Sequence, residues 1–218
     1  MFETRNQGLS NVAKFAAMIG LQEEMNVKVN PSWRTAGYPW HRAIWTECAE
    51  MLEHVGWKWW KDLSAEPDVE QIRLEVVDIW HFGMSDLMGR ERDTNRIAVR
   101  LADDYASTSH AFGEKTLHDL IETIAQTTLT RQAFDPQAFF ALVHGVELDI
   151  DNLYRRYVGK NVLNFFRQDH GYKAGTYRKT WSGREDNEHL AEIVAALDAD
   201  ALTFRADIYA ALASRYDK

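Results

Sequence analysis

Two pairs of carboxylates in this 218-residue chain have the types and the spacing needed to bind divalent cations. The pairs are Glu47 with Glu50 and Glu75 with Asp78. Three positions separate the members of each pair, which places both on one face of a helix. Two such helices packed side by side would bring four acidic groups together, and hard cations with oxygen ligands are natural partners for them. The spacing therefore predicts a magnesium site, and magnesium suggests phosphate chemistry.

A single acid pair at this spacing usually lies on a solvated helix face. Here the residues around Glu47 and Asp78 are largely apolar, and acids in such surroundings are rarely left unpaired because burial of an isolated charge is costly. An acid that is not fully committed to metal could take a proton from water. Glu50 is the candidate for this general base.

A di-iron bundle is a rival interpretation of the acids. Such sites use Glu-x-x-His pairs from two helices together with two further Glu residues. The chain offers one imperfect match, Asp78 with His81, and no second pair beside Glu47 and Glu50. The sequence therefore favours magnesium over iron.

Bulk composition narrows the possible partners. The net charge of -8 argues against sequence-independent binding to nucleic acid, which needs a cationic surface. Cys48 is the only cysteine, so no internal disulfide can form, and a buried structural thiol is its expected role. No apolar run reaches the length of a membrane span. We therefore expect a cytoplasmic protein without nucleic-acid or membrane partners.

The apolar residues follow a helical period over most of the chain, and only 4 prolines interrupt it. The pattern predicts an all-α helical bundle, with a four-helix metal-binding core and additional helices, in a single domain over residues 1–218. Residues 90–155 could form a semi-independent helical or mobile part, because 90–112 show no firm period. The predicted helices cover approximately 9–27, 39–59, 67–88, 117–128, 139–157 and 187–216.

Residues 160–184 concentrate positive charge in an acidic chain. Glycines at 171, 175 and 183 allow tight backbone approach, and loops that close over phosphates often combine cations with glycine. A solvated basic surface is the alternative. The cations are Lys160, Arg167, Lys173, Arg178, Lys179 and Arg184, against Asp169 as the only acid before Glu185.

Aromatic and amide side chains supply weaker signals. One tryptophan of the segment 57–61 could pack on a flat heterocycle, and Lys61 beside Trp60 could meet phosphate, although core and interface packing is the more ordinary role of such a segment. Gln22 and Asn26 lie four residues apart, and their donors and acceptors suit the edge of a pyrimidine. Exposed amides are common, so this pair needs support from other features.

Together these segments resemble the dimeric all-α dUTPases, which belong to the all-α nucleoside triphosphate pyrophosphatase superfamily with the MazG-like enzymes. The superfamily pattern is Glu-x-x-Glu followed by Glu-x-x-Asp, and the four acids match it. The narrower family motifs resemble Leu21–Asn26, Gly56–Lys61, Asp78–Phe82, Lys160–Gln168, Gly171–Tyr177 and Gly183–Asn187. Residues 90–155 carry almost none of them.

The resemblance implies a homodimeric dUTP diphosphatase that keeps uracil out of DNA. Such an enzyme hydrolyses dUTP, and also dUDP, to dUMP with two or three Mg²⁺ ions, for which Mn²⁺ can substitute, and water attacks the β-phosphorus of dUTP. The metal ligands would be Glu47, Glu50, Glu75 and Asp78. The implied substrate contacts are Gln22, Asn26 and Trp60 at the base, His81 and Phe82 near the sugar, and Asn164, Arg167, Tyr172, Lys173, Tyr177 and Lys179 at the phosphates.

Two rivals to this function are open at the level of sequence. One is a broader nucleoside triphosphate pyrophosphatase, such as a dCTP/dUTP or MazG-like house-cleaning enzyme. The other is a non-catalytic helical interaction protein, against which the intact acids and the intact basic segment argue.

Overall fold

Helices make up most of the computed structural model, which describes residues 9–61, 66–108, 115–199 and 201–216. The predicted all-α fold is confirmed. A short 3-10 helix, Trp33–Thr35, and a two-residue antiparallel pair, β1 (Thr180–Trp181) with β2 (Arg184–Glu185), are added to the helices. The helices are α1 Asn11–Val29, α2 Trp40–Val55, α3 Val69–Arg90, α4 Thr94–Thr108, α5 Leu117–Arg131, α6 Pro136–Gly145, α7 Ile150–Asp169, α8 Asp186–Ala196 and α9 Phe204–Tyr216.

Local capping sets the ends of the helices that carry the acids and the cations. Asp68 accepts the backbone N–H of Gln71 and starts α3, so Pro67 precedes the cap and the predicted first helical position is wrong by two residues. Asp149 caps α7 in the same way. Gly56 ends α2 with a φ of 82°, a backbone conformation that favours glycine. This ending makes α2 shorter than the predicted helix 39–59.

Two of the long predicted helices are each divided into two helices in the structure. The prediction over 139–157 is wrong because α6 ends at Gly145 and Glu147 adopts a left-handed φ of 56° before α7 begins. The prediction over 187–216 is wrong because α8 ends at Ala196 and α9 starts at Phe204. Within the stretch 90–112, which shows no firm period, α4 forms over Thr94–Thr108. Residues 109–112 of this stretch lie outside the described residues.

The core is built around an aromatic group on α3. Trp80 stacks on Phe139 with ring centroids 5.0 Å apart, and Phe15 and Phe140 pack against it at 5.8 and 5.9 Å. One turn away, the ring of Phe134 lies so close to Gly83 that an added Cβ would be 2.6 Å from it. These contacts hold the buried face of α3 in place and thereby direct its acidic face toward α2.

The remaining helices pack around α1, α2 and α3. Helix α2 packs on α3 and α5, and α1 packs on α3, α4 and α7. Helices α8 and α9 pack on α7 and on each other. The described helices within residues 90–155, α4, α5 and α6, therefore lie against the helices that carry the acids. Among the described residues, no helix combines the length and apolar character needed to cross a bilayer.

Candidate active site

Three of the four predicted metal ligands meet where α2 packs against α3. Ligand oxygens of Glu47, Glu75 and Asp78 all lie within 4.8 Å of one another. Glu75 and Asp78 reach this point together because they share one face of α3. Glu50, one turn along α2, is exposed and lies outside this group of described acids. The three gathered carboxylates, which we call the acid cluster, offer the oxygen donors that a hard divalent cation prefers.

The acid cluster is electrostatically unfavourable without a cation. Burial raises the pKa of Glu47 to about 8, and the negative charges of Asp78, Glu75 and Glu50 reinforce the shift. Burial and the charge of Asp78 also raise the pKa of Glu75. Both shifts mean that the ionised carboxylates repel one another at a poorly solvated position. A bound divalent cation would relieve this repulsion, so the residues present fit a metal ion.

Cys48 lies between the two acids of α2 and takes no part in this chemistry. Its side chain is buried, and burial raises the pKa of the thiol to about 12, with the charge of Glu47 adding to the effect. A thiol with such a pKa stays protonated and is a poor nucleophile and metal ligand. This agrees with the structural role expected from the sequence.

Lys160 lies against the acid cluster, although it was absent from the predicted site. Its ammonium group on α7 is 2.8 Å from Oδ2 of Asp78, and only 6% of its side chain is exposed. It also donates to Oδ1 of Asn187 at 3.4 Å. The sequence marks Lys160 as the first cation of the basic segment. Its approach to α3 depends on the packing of α7, which no local pattern reveals.

A cavity of about 260 Å³ opens beside the acid cluster, and Asp78 lines it. The cavity lies between α1, α3 and α7, and it collects predicted substrate contacts from all three helices. Seven of them line it: Gln22, Asn26, His81, Phe82, Asn164, Arg167 and Tyr172. The cavity that these residues line is therefore continuous with the acid cluster through Asp78.

The two predicted base-reading amides belong to a buried hydrogen-bond network in the wall of this cavity. Gln22 Nε2 donates to Asn26 Oδ1 at 3.0 Å. Gln22 Oε1 accepts from His81 Nδ1 at 2.7 Å and from the Tyr157 hydroxyl at 3.0 Å. Ser85 completes this set, which we call the amide network. Ser85 and Tyr157 were not predicted, because neither residue type at its position distinguishes a site from a core.

His81 is the histidine of the amide network, and it is neutral. Burial lowers its pKa to about 4, and the charge of Asp78 opposes the shift without cancelling it. Since Nδ1 faces an amide oxygen, it carries the ring proton. Nε2 is then an acceptor, and it is buried without a hydrogen-bond partner among the described residues. A ligand that donates a hydrogen bond would satisfy it.

Aromatic side chains close another side of the cavity. Phe82 stacks on Trp40, with ring centroids 6.4 Å apart and an interplanar angle of 30°. Trp33 and Tyr38 pack edge-on against Trp40 at 6.3 and 5.3 Å. All four line the cavity, yet only Phe82 was predicted. The density of aromatic residues between 33 and 40 is the signal that could have identified the other three.

Arg167 of the basic segment lines the cavity, and a buried carboxylate holds it there. Arg167 Nε and Nη2 each donate to one oxygen of Asp186 at 2.8 Å, and the Tyr177 hydroxyl donates to the same carboxylate at 2.8 Å. Burial alone would raise the pKa of Asp186, but the hydrogen bonds and charge of Arg167 outweigh it and lower the pKa. Asp186 therefore fixes the orientation in which the Arg167 side chain lines the cavity.

A family model described as dUTPase matches residues 14–172. The chain belongs to the all-α dUTPase family. It is a dUTP diphosphatase, a hydrolase of nucleotide metabolism, and its substrate is a nucleotide. Enzymes of this kind generally use divalent metals, in agreement with the acid cluster. No curated protein matches the chain. The predicted family and enzyme class are confirmed.

Two predicted contacts of this dUTPase stand apart from the cavity. Trp60 is 55% exposed and packs edge-on against Trp57 and Trp59, with centroids 5.3 and 5.4 Å away. Lys61 follows it and is also exposed. Neither lines the cavity formed by the described residues. Their contacts with substrate stay predictions.

The last predicted contacts lie beyond residue 172, where the family match ends. Lys173 donates to the backbone oxygen of Val29 at 3.3 Å. Lys179 pairs with Glu185, also at 3.3 Å, and both side chains of this pair are about half exposed. Tyr177 is bound to Asp186 behind the cavity. The structure thus places these three around the turn that follows α7, and their roles stay predictions.

Proposed function

We propose that this dUTPase hydrolyses dUTP to dUMP and pyrophosphate in a Mg²⁺-dependent reaction that keeps uracil out of DNA. The observation that carries the proposal is the position of Asp78, which belongs to the acid cluster and also lines the cavity walled by the amide network. A nucleotide whose base lies against the amides would direct its phosphates to the acids. The proposal thus accounts for both halves of the site with one ligand.

Glu47, Glu75 and Asp78 would hold the metal, and Glu50 would complete the ligand set from the next turn of α2. Two or three Mg²⁺ ions are expected, and Mn²⁺ would substitute because it accepts the same oxygen ligands. Bound metal supplies positive charge that neutralises the phosphate oxygens.

Glu50 would act as the general base. Its carboxylate is exposed at the edge of the acid cluster, so water can reach it, and its charge already contributes to the raised pKa values of Glu47 and Glu75. It would take one proton from the attacking water as oxygen bonds to the β-phosphorus. The bond between the β-phosphorus and the oxygen that bridges it to the α-phosphorus breaks, and dUMP leaves while pyrophosphate carries the new oxygen.

The cavity would orient the rest of the substrate. Gln22 and Asn26 would read the uracil, and Phe82 would pack on the sugar beside His81, whose free Nε2 would accept a hydrogen bond from the 3′-hydroxyl. The ring of Trp60 would pack against the face of the base. The cations and polar groups Lys61, Asn164, Arg167, Tyr172, Lys173, Tyr177 and Lys179 would meet the phosphates and exclude bulk water.

Further parts of the proposal concern the assembled enzyme. A homodimer is implied by the family motifs, and the exposed Trp57, Trp59 and Trp60 are a surface that a second subunit could cover. We propose one domain over residues 1–218, because α4, α5 and α6 pack on the acid-bearing helices. We also propose activity on dUDP, and a cytoplasmic location where the single Cys48 stays reduced.

Turnover of dUTP, dUDP, dTTP, dCTP and UTP with Mg²⁺, Mn²⁺ or EDTA tests the proposal. Hydrolysis confined to the deoxyuridine nucleotides and abolished by EDTA would support it. Comparable rates on all the triphosphates would replace it with the broader pyrophosphatase.

Glu50→Gln tests the mechanism. It should lower kcat by about 100-fold or more, because the attacking water loses its proton acceptor. Glu53→Gln is the matched control, since Glu53 is an exposed acid on the same helix and pairs with Lys58. Full activity in Glu50→Gln would overturn the assignment of the base.

A further inference from the structure

Ser85 occupies the centre of the amide network and is fully buried on α3. Its hydroxyl donates to the backbone oxygen of His81 at 2.8 Å. The same oxygen accepts from Gln22 Nε2 at 3.1 Å and from Asn26 Nδ2 at 3.0 Å. A hydroxyl has a single hydrogen. That hydrogen is directed at the backbone carbonyl, because the 2.8 Å contact is much shorter than the 3.4 Å contact between Ser85 Oγ and Asn26 Oδ1. Ser85 therefore presents lone pairs to the two amides, and both turn their NH₂ groups toward it.

The hydrogen bonds leave Gln22 and Asn26 in different situations. Gln22 uses both N–H groups, on Asn26 and Ser85, and its oxygen accepts from His81. The same oxygen lies 3.0 Å from the Tyr157 hydroxyl, whose one hydrogen is shared with the backbone oxygen of Met18 at 3.1 Å. Asn26 donates one N–H to Ser85 and accepts one hydrogen bond from Gln22. One N–H of Asn26 has no partner among the described residues, and the second lone pair of its carbonyl oxygen meets only Ser85 Oγ, at the longer distance of 3.4 Å. Gln22 is therefore positioned to orient Asn26, and Asn26 is the amide available to a ligand.

The order of that donor and acceptor matters for pyrimidines. Uracil presents O4 as an acceptor next to N3–H as a donor, whereas cytosine presents a donor amino group next to a bare N3 acceptor. One primary amide can pair with either edge if it is free to rotate by half a turn. An amide held in one orientation can pair with only one of them.

We propose that Ser85 is the positioning residue that makes this enzyme select uracil over cytosine, by holding the Asn26 amide in the orientation that fits uracil. The proposal rests on the proposed function, in which the base lies against these amides. Without the Ser85 hydroxyl, Gln22 and Asn26 can turn over together and keep the bond between them. His81 and Tyr157 tolerate either orientation, because an imidazole nitrogen and a phenol hydroxyl can each donate or accept.

The test is the ratio of kcat/KM values for dUTP and dCTP in Ser85→Ala, measured as pyrophosphate release with Mg²⁺. The ratio should fall by about tenfold, the range expected when a bidentate contact stops discriminating between bases. The ratio for dUTP and dTTP should not change, because thymine presents the same edge as uracil. A structural defect would lower all three values together, which separates positioning from simple destabilisation.

Two further variants keep the test decisive. Ser85→Cys keeps a side chain of similar size with a much weaker acceptor, and it replaces Ser85→Ala if the alanine variant does not fold. Thr108→Val is the matched control: Thr108 is buried, and its hydroxyl donates to the backbone oxygen of Asp104 four residues earlier, as Ser85 does to His81. Its ratios should equal those of the wild type.

The outcomes separate this proposal from the proposed function. A wild-type enzyme that prefers dUTP, with unchanged dUTP/dCTP ratios in the folded Ser85 variants, overturns the role of Ser85 and leaves the function intact. An equal fall for all substrates overturns it as well. A wild-type enzyme that does not hydrolyse dUTP overturns the proposed function itself.

Discussion

The acid cluster and the amide network lie side by side on α3, yet their polar groups are satisfied to opposite degrees. In the acid cluster, like charges are crowded together and the pKa values of Glu47 and Glu75 are raised. In the amide network, the polar atoms of Gln22 are all paired with neighbouring side chains. A bound cation would complete the acid cluster, whereas the amide network is already ordered without a ligand.

This difference has an energetic meaning. Mutual repulsion in the acid cluster opposes folding, and a bound metal ion would turn it into attraction. The buried hydrogen bonds of the amide network favour folding and fix its geometry. Affinity for metal and selectivity for the base would therefore arise from different kinds of interaction. Substitutions in the acid cluster and in the amide network should change the stability of the protein with opposite sign.

The largest expected effect follows from Glu47→Gln. Removal of one ligand charge should lower Mg²⁺-dependent dUTP hydrolysis by about 100-fold or more. The same variant in EDTA at pH 8 should unfold at a higher temperature than the wild type, because one repelling charge is gone. Steady-state kinetics and thermal denaturation measure the two effects. Glu122→Gln, at an exposed position on α5, should change neither, and wild-type activity in Glu47→Gln would refute the assigned role.

A smaller effect of opposite sign is expected in the amide network. Tyr157→Phe deletes a buried hydroxyl that bonds to Gln22 and accepts from Asn161 at 3.4 Å. The loss of these partners should lower the free energy of unfolding by about 1–3 kcal/mol, as measured by urea denaturation. Tyr172→Phe, which removes a hydroxyl from a side chain that is half exposed, should stay within about 0.5 kcal/mol of the wild type. Equal stability of Tyr157→Phe and Tyr172→Phe would contradict the stabilising role assigned to the amide network.

The smallest effect is a dependence of stability on pH. The pKa of Glu47 is about 8 in the folded state against an ordinary 4.5, so the folded chain holds this proton more tightly than the unfolded chain. The resulting stabilisation is complete below about pH 4.5 and is lost as pH rises toward 8. In EDTA, the thermal advantage of Glu47→Gln over wild type should therefore grow between pH 5 and 9, and saturating Mg²⁺ should reverse it. A pH-independent difference would contradict the raised pKa.

The sequence predicted residues that one helix places on a shared face, and it missed residues that only helix packing brings to the site. The spacing of Glu75 and Asp78 is a local property of one helix, and hydrophobic periodicity placed that helix within a few residues. Ser85 and Lys160 join the site through contacts across 59 to 82 positions, as with Ser85 and Asn26 or Lys160 and Asp78. Such contacts depend on how helices pack, and no short motif encodes that.

Helix boundaries show the same limit. Apolar periodicity continues through the junction between α6 and α7, so the prediction ran across it. Asp149 as an N-cap and Gly145 near the end of α6 were the local signals of a break. The left-handed conformation of Glu147 was not readable, because glutamate has no preference for it. Packing between neighbouring helices therefore determines the conformation at Glu147, where the local conformational preference is weak.

The ion pair between Lys160 and Asp78 bears on how the enzyme matures after synthesis. A new chain has an internal counter-ion in place before any metal is bound, since the ammonium lies 2.8 Å from the carboxylate. Folding could therefore precede metal binding, and a cation would enter a site whose walls are already assembled. Metal binding would then be the last step of maturation.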